Sequence, residues 1–444
     1  MKPKKSAYLF RNEQGVNYLL PFIFICSLFL LWGFAHGFLD VLDKHFQDLL
    51  HVSKAQSGFV QFSLYIGYLA MAIPAGLFIK KYGYQRGIIF GLGLFAIGAF
   101  LFYPAAKLEA FIPFLVALFI LACGLAFLET AANPYSIVLG PKDGAARRIN
   151  ISQSFNGLGW ILGPLIGGLF IFGTQATGEH DRFDSLVKPY MMIGCIVVVV
   201  AIVFLIIKLP EIKEEKNDTE TSEDPPMRNL LRHPAFILAV VAQFLYVAAQ
   251  TGTNSFFINY VIDAIPDLKT PISGLMVDSG YFGKIFMPKN NEQAASLILA
   301  IGGMGAFWIG RLTGSYIMKF VMPQRLLAIY AIINTFLVFV VIIDIGWVSV
   351  IALFSTYFFM SVMFPTIFAL GVADLGTLTK KGSAFLVMAV AGGAFCPPIM
   401  GLIADNSTMA KAFIIPIFCF AFIAWYAKWG VGKKVVIKEF TQHH

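Results

Sequence analysis

Long, almost unbroken apolar runs alternate with short polar and basic intervals along this chain. Twelve such runs recur, over residues 16–42, 55–79, 87–106, 111–139, 149–173, 188–209, 234–262, 293–318, 325–344, 347–374, 382–404 and 410–430. Each holds the roughly 20 residues of helix that a hydrocarbon core of about 30 Å requires. The pattern therefore predicts an all-α membrane protein with twelve transmembrane helices. The longest runs tilt or extend past the bilayer. The first run follows the basic stretch MKPKKSAYLFRNEQG and exceeds the apolar core of a cleaved signal, so it reads as a spanning helix.

The longest polar stretch near the middle is KLPEIKEEKNDTETSEDPPMRNLLRH, residues 208–233. Its acids, lysines, Ser/Thr and prolines read as a linker. It separates a six-helix half, 1–207, from a second six-helix half with a tail, 234–444. The polar intervals around 174–187 and 263–292 read as solvated connections, with lids as the alternative. The halves repeat. Pro134 and Gly140 fall on Pro365 and Gly371 at an offset of 231, and Pro164 and Gly167 fall on Pro398 and Gly401 at 234. A looser third pair is GLFIKKYGYQRG (76–87) with GSYIMKFVMPQR (314–325). Three pairs in one order indicate a duplicated unit, and two such halves meeting at a midplane site is transporter architecture. At the first offset Glu129 falls on Met360, so the acid is not part of the shared scaffold.

Composition agrees. Hydrophobic residues make up 58% and charged residues 13%, too few charges to cover a soluble chain of 444 residues. Mean hydropathy is +0.75. The net charge of +8 does not point to nucleic acid, because the basic residues sit in short clusters between apolar runs. With an internal N-terminus, 24 of the 33 Lys and Arg lie on the cytoplasmic side. The positive-inside rule then places both termini in the cytoplasm. Cys26, Cys123, Cys195, Cys396 and Cys419 all lie in apolar runs without metal-site spacing, and read as packing residues. There is no Walker A pattern, no HExxH, no nucleophile elbow and no Cys/His cluster, so an ATP-driven pump or an enzyme is disfavoured and no metal is expected.

Six stretches carry a narrower signal: LWGFAHGFLDVLDKHFQ (31–47), LETAANPYSIVLG (128–140), RINISQSFNGLG (148–159), AQFLYVAAQTGTNSF (242–256), GRLTG (310–314) and FPTIFALG (364–371). Together they resemble the fucose–galactose–glucose:proton symporter family of the major facilitator superfamily. The resemblance covers most of the chain and implies a major facilitator fold of two pseudo-symmetric halves. It implies a proton-coupled importer of a monosaccharide, such as L-fucose, galactose, glucose or N-acetylglucosamine, working by alternating access in a bacterial inner membrane. It gives Asp40 and Glu129 the proton-coupling roles and places Gln153 and Asn156 near the sugar. The sequence departs from the family at AHGFLD before the first acid, at Phe364 where the fucose symporters carry Tyr, and at Asn254 in the seventh helix. These changes touch the sugar-facing wall and bear on L-fucose more than on sugar transport.

The residues themselves support that chemistry. An ionised carboxylate is costly in hydrocarbon, so an intramembrane acid faces a cavity or a partner. Glu129 lies about ten residues from the inner end of its helix, about 15 Å at 1.5 Å per residue, near mid-membrane. A neutral Glu bonding a neighbouring helix is the alternative. Asp40 is followed by Asp43, Lys44 and His45, so a solvated helix end competes with a proton site. His36, one turn earlier, shares the proton, bonds the sugar or packs. Gln153 and Asn156 share a face, as do Gln250 and Asn254 with Tyr246 one turn earlier, and Asn133 lies one turn past Glu129. Asn and Gln offer a sugar both donors and acceptors, and also serve as interhelical bonds. Trp32, Phe256, Phe257 and Phe364 are candidates to stack on the sugar. Lys80, Lys81, Arg147, Arg148, Arg311 and Lys380 read as topology and gating charges at helix ends. No cofactor beyond the proton is expected. The partners are a sugar and lipid, with no nucleic acid, and the chain acts as a monomer. An exporter of the same superfamily is the main alternative; it would favour an apolar cavity over clustered Asn and Gln.

Overall fold

The computed structural model describes residues 17–140, 145–172, 179–207, 232–318, 320–373 and 378–430, with isolated positions at 10, 209, 230 and 375. Among these residues twelve helices are long and apolar enough to span a bilayer: α1 (Leu19–Leu50), α2 (Lys54–Tyr82), α3 (Tyr84–Lys107), α4 (Phe111–Ser136), α5 (Ile151–Ile171), α6 (Val187–Ile206), α7 (Pro234–Ser255), α8 (Asn291–Ile317), α9 (Pro323–Ile343), α10 (Trp347–Val372), α11 (Gly382–Asn406) and α12 (Met409–Gly430). All twelve expected runs are present. Large apolar side chains such as Ile112, Leu205, Phe336 and Phe418 point outward. That surface suits acyl chains, which solvate apolar side chains at no cost.

Several edges differ from the hydropathy reading. The first helix continues to Leu50 rather than ending near residue 42, so Asp40 and Asp43 lie within it. The seventh stops at Ser255, and a separate short helix follows over Phe257–Ala264. The interval expected as a plain connection at 263–292 carries two short helices, Lys269–Val277 and Gly280–Phe286. The expected linker, 208–233, lies outside the described residues except for 209, 230, 232 and 233.

Packing groups the chain into two compact units: Met1–Leu39 with Ile66–Glu215, and Asp40–Tyr65 with Lys216–His444. Within the first, α3 packs along α4 and α6. The close approach of α1 to α5 rests on small residues. A Cβ on Gly163 would lie 2.5 Å from the Gly37 carbonyl carbon and from the Phe38 nitrogen, so only hydrogen fits. Backbone contact of this kind is how spanning helices gain packing without a hydrophobic drive. Stacked rings of Phe102 and Tyr190, 3.5 Å between centroids, tie α3 to α6.

Within the second unit, α7 packs on α11 and α12, and α9 on α10 and α12. Residues 40–65 belong here because of specific polar contacts. The Lys54 and Ala55 amides, free at the start of α2, donate to the Asp405 carboxylate at 3.0 and 2.9 Å. Asn259 Nδ2 donates to Gln47 Oε1 at 2.6 Å, and Thr251 Oγ1 to the Tyr65 hydroxyl at 3.0 Å. Lys54 pairs with Asp263 at 3.4 Å.

Candidate functional site

Two polar clusters stand inside the apolar helices, one in each unit. In the first, α4 carries Glu129 and, one turn on, Asn133. The Glu129 carboxyl is half-buried and has no hydrogen-bond or ion-pair partner among the described residues. Asn133 is engaged: Gln153 Nε2 on α5 donates to its Oδ1 at 3.3 Å. One turn along α5, Asn156 is buried and its amide donates to the Phe29 carbonyl of α1 at 3.3 Å. Asn156 thus ties α1 to α5, while Gln153 and Asn133 tie α5 to α4.

The α1 face of this cluster is aromatic. His36 Nε2 lies 3.0 Å from the Tyr68 hydroxyl of α2, and its ring stacks on Trp160 of α5 at 5.3 Å. Trp32, one turn earlier on α1, meets His36 edge-on at 6.1 Å. The Trp32 indole N–H is buried without an acceptor among the described residues. Tyr68 and Trp160 were not singled out in the sequence. Trp160 follows Asn156 by four residues, so helical periodicity marks it as a neighbour on the same face.

In the second unit Asp40 is 3% exposed and Asp43 is fully buried, so the solvated helix end set against Asp40 above is not what the fold contains. Gln61 Nε2 on α2 lies between them, 3.4 Å from Asp40 Oδ1 and 3.5 Å from Asp43 Oδ2. On α7, Gln250 is half-buried with no partner among the described residues, and Asn254 is buried with its Oδ1 unpaired. Tyr246 is fully buried; its hydroxyl donates to the Met360 carbonyl at 3.0 Å, and its ring meets half-buried Phe364 edge-on at 6.2 Å.

The expected gating cations divide. Among the described residues Arg148 is the largest fully buried side chain; it donates to the Ser136 and Gly140 carbonyls at 3.3 Å, holding the C-terminal end of α4. Arg311 donates from Nε to the Ser361 carbonyl at 3.3 Å and lies over the Phe307 ring. That carbonyl is the one left without its helical N–H by Pro365, four residues on. Lys80 is exposed without a partner among the described residues, and the side chain of Arg147 lies outside them.

The chain matches the sequence profile of the Major Facilitator Superfamily over residues 18–395. It is 36% identical over 434 residues to the L-fucose-proton symporter of Escherichia coli (strain K12), covering 94% of each chain. It is 33% identical to the glucose/galactose transporter of Brucella abortus biovar 1 (strain 9-941), covering 93% of this chain and 95% of that one. Among solved structures it is similar to FucP, a transporter of the same superfamily in the outward conformation, with TM-score 0.67, 35% identity and coverage of 94% and 100%.

Proposed function

We propose, on the premise that the chain belongs to the Major Facilitator Superfamily, that it is a proton-coupled symporter importing a monosaccharide by alternating access. The observation that carries this reading is Glu129: a half-buried acid without a partner among the described residues, in an apolar helix, one turn from the Asn133–Gln153 amide pair. A carboxyl so placed is neutral when it holds a proton and costly when it does not. It takes the proton from the outside and gives it up when water or a donor reaches it. The two amides, bonded to each other at 3.3 Å, can exchange that bond for bonds to sugar hydroxyls. The Trp32 indole N–H supplies a further donor, and Trp160 and His36 a flat apolar wall for the ring.

Asp40 is the second coupling acid. Gln250 and Asn254 on α7, Phe364 held by Tyr246, and Asn156 and His36 are further residues that contact sugar. Arg148, Arg311, Arg147 and Lys80 act at helix ends during rocking. One chain is the transporting unit, solvated by lipid in a bacterial inner membrane with both termini cytoplasmic, and it performs no covalent chemistry. The identity of this chain to an L-fucose-proton symporter and to a glucose/galactose transporter supports a hexose or deoxyhexose substrate.

The test is uptake in cells or right-side-out vesicles with L-fucose, galactose, glucose, mannose, fructose and N-acetylglucosamine. At least one should be concentrated inward, with alkalinisation of the medium on addition. Uptake that tracks sodium without alkalinisation overturns the coupling ion. Net efflux favours the exporter instead.

A further inference from the structure

The acid pair of the second unit is more than one coupling residue and a bystander. Asp43 follows Asp40 by three residues on α1, so both point to one face. Their oxygens approach a single Gln61 nitrogen at 3.4 and 3.5 Å, and so lie no more than about 7 Å apart. No cation faces either carboxyl among the described residues. Lys44, the adjacent cation, is committed to Asp48 at 2.6 Å, and His45 projects from the opposite face of α1.

The surroundings are short of hydrogen-bond donors for two ionised carboxylates. Asp40 Oδ2 and Asp43 Oδ1 are buried with no partner among the described residues. The Gln61 contacts are long, whereas donors to a carboxylate normally come within about 2.7–2.9 Å. Two further buried hydroxyls also lack hydrogen-bond partners among the described residues: Tyr357 on α10, 1% exposed, and Ser255 at the end of α7, fully buried. The titratable group that shares this face of α1 is His36, one turn before Asp40, and its Nε2 is engaged with the Tyr68 hydroxyl at 3.0 Å. Two like charges within about 7 Å of each other in a buried site disfavour each other's ionisation.

We propose that Asp43 is a second coupling carboxyl, and that Asp40 and Asp43 hold one proton between them across Gln61. The proposal rests on the symport reading above. The shared proton supplies the missing donor, and the two carboxyls titrate as a unit rather than as separate sites. Loading a second proton from solvent neutralises the pair, and releasing it to solvent restores one negative charge.

The full chain in proteoliposomes tests this, using radiolabelled L-fucose, galactose and glucose. The pH at which proton-driven uptake falls to half its maximum should move to lower pH by about one unit or more in Asp43→Asn, because the neighbouring like charge is gone. Asp43→Glu should restore the midpoint, which a purely structural role would not predict. A midpoint in Asp43→Asn equal to that of the unsubstituted protein overturns the pair. If the unsubstituted protein concentrates none of these three sugars, nor mannose, fructose or N-acetylglucosamine, under a proton gradient, the symport reading fails instead. Should Asp43→Asn not fold, infrared titration of the Glu129→Gln protein decides. A protonated-carboxyl band should persist at neutral pH, and its absence overturns the proposal.

Discussion

Glu129 and Met360 occupy matching positions of the two halves, yet their environments differ as their chemistry requires. Met360 is fully buried, and its carbonyl is taken by the Tyr246 hydroxyl. Glu129 is half-buried and leaves its carboxyl without a partner among the described residues. A neutral Glu serving as an interhelical bond, the alternative raised from sequence, needs a partner that the described residues do not contain. Glu129→Gln keeps the shape and removes the proton. Concentrative, proton-driven uptake should be lost while some sugar counterflow persists, measured with labelled sugar in vesicles. Concentration of sugar by this variant would refute the role.

Between residue and molecule, the helices owe their geometry to a few local devices. Pro365 cannot donate to the Ser361 carbonyl, and α10 breaks there between Met360 and Met363. Arg311 and Tyr246 take the Ser361 and Met360 carbonyls, so the break is satisfied rather than frayed. These two residues, read from sequence as a gate and a sugar contact, have a structural task that accounts for their burial. The α1–α5 seam works by absence of side chains. Gly163→Ala places a Cβ 2.5 Å from backbone atoms of Gly37 and Phe38, which must shift. It should destabilise the protein by about 1–3 kcal/mol, seen as a lower melting temperature in detergent. Gly76→Ala on α2 meets nothing within 4 Å and should stabilise the helix by up to about 1 kcal/mol.

At the scale of the whole chain, apolar runs and basic intervals together determine topology. With 24 of the 33 basic residues on one side of the alternating runs, we propose that both termini are cytoplasmic. Epitope tags at either end should therefore resist antibody in intact spheroplasts and bind it after permeabilisation. Binding at one end before permeabilisation would break the twelve-span count. The compact units cut across chain order: residues 40–65 pack with the C-terminal helices through Asp405, Asn259 and Thr251. Asp40 and Glu129, which sequence order assigns to one half, thus belong to different units.

Twelve spans, the duplicated halves and the isolated acid at Glu129 are properties of the sequence itself. Hydrocarbon demands long apolar runs, and a charge within one stands out without reference to any neighbour. Asp43 was hidden by the same logic. Beside Lys44 and His45 it resembles a solvated helix end, and hydropathy does not register a second helix covering it. Which polar groups meet was decided only by tertiary packing. Gln61 lies between Asp40 and Asp43, Arg148 holds the end of α4, and Asn156 joins α5 to α1. The physical reason is that helical periodicity specifies which residues share a face, but not which face of which helix will stand opposite.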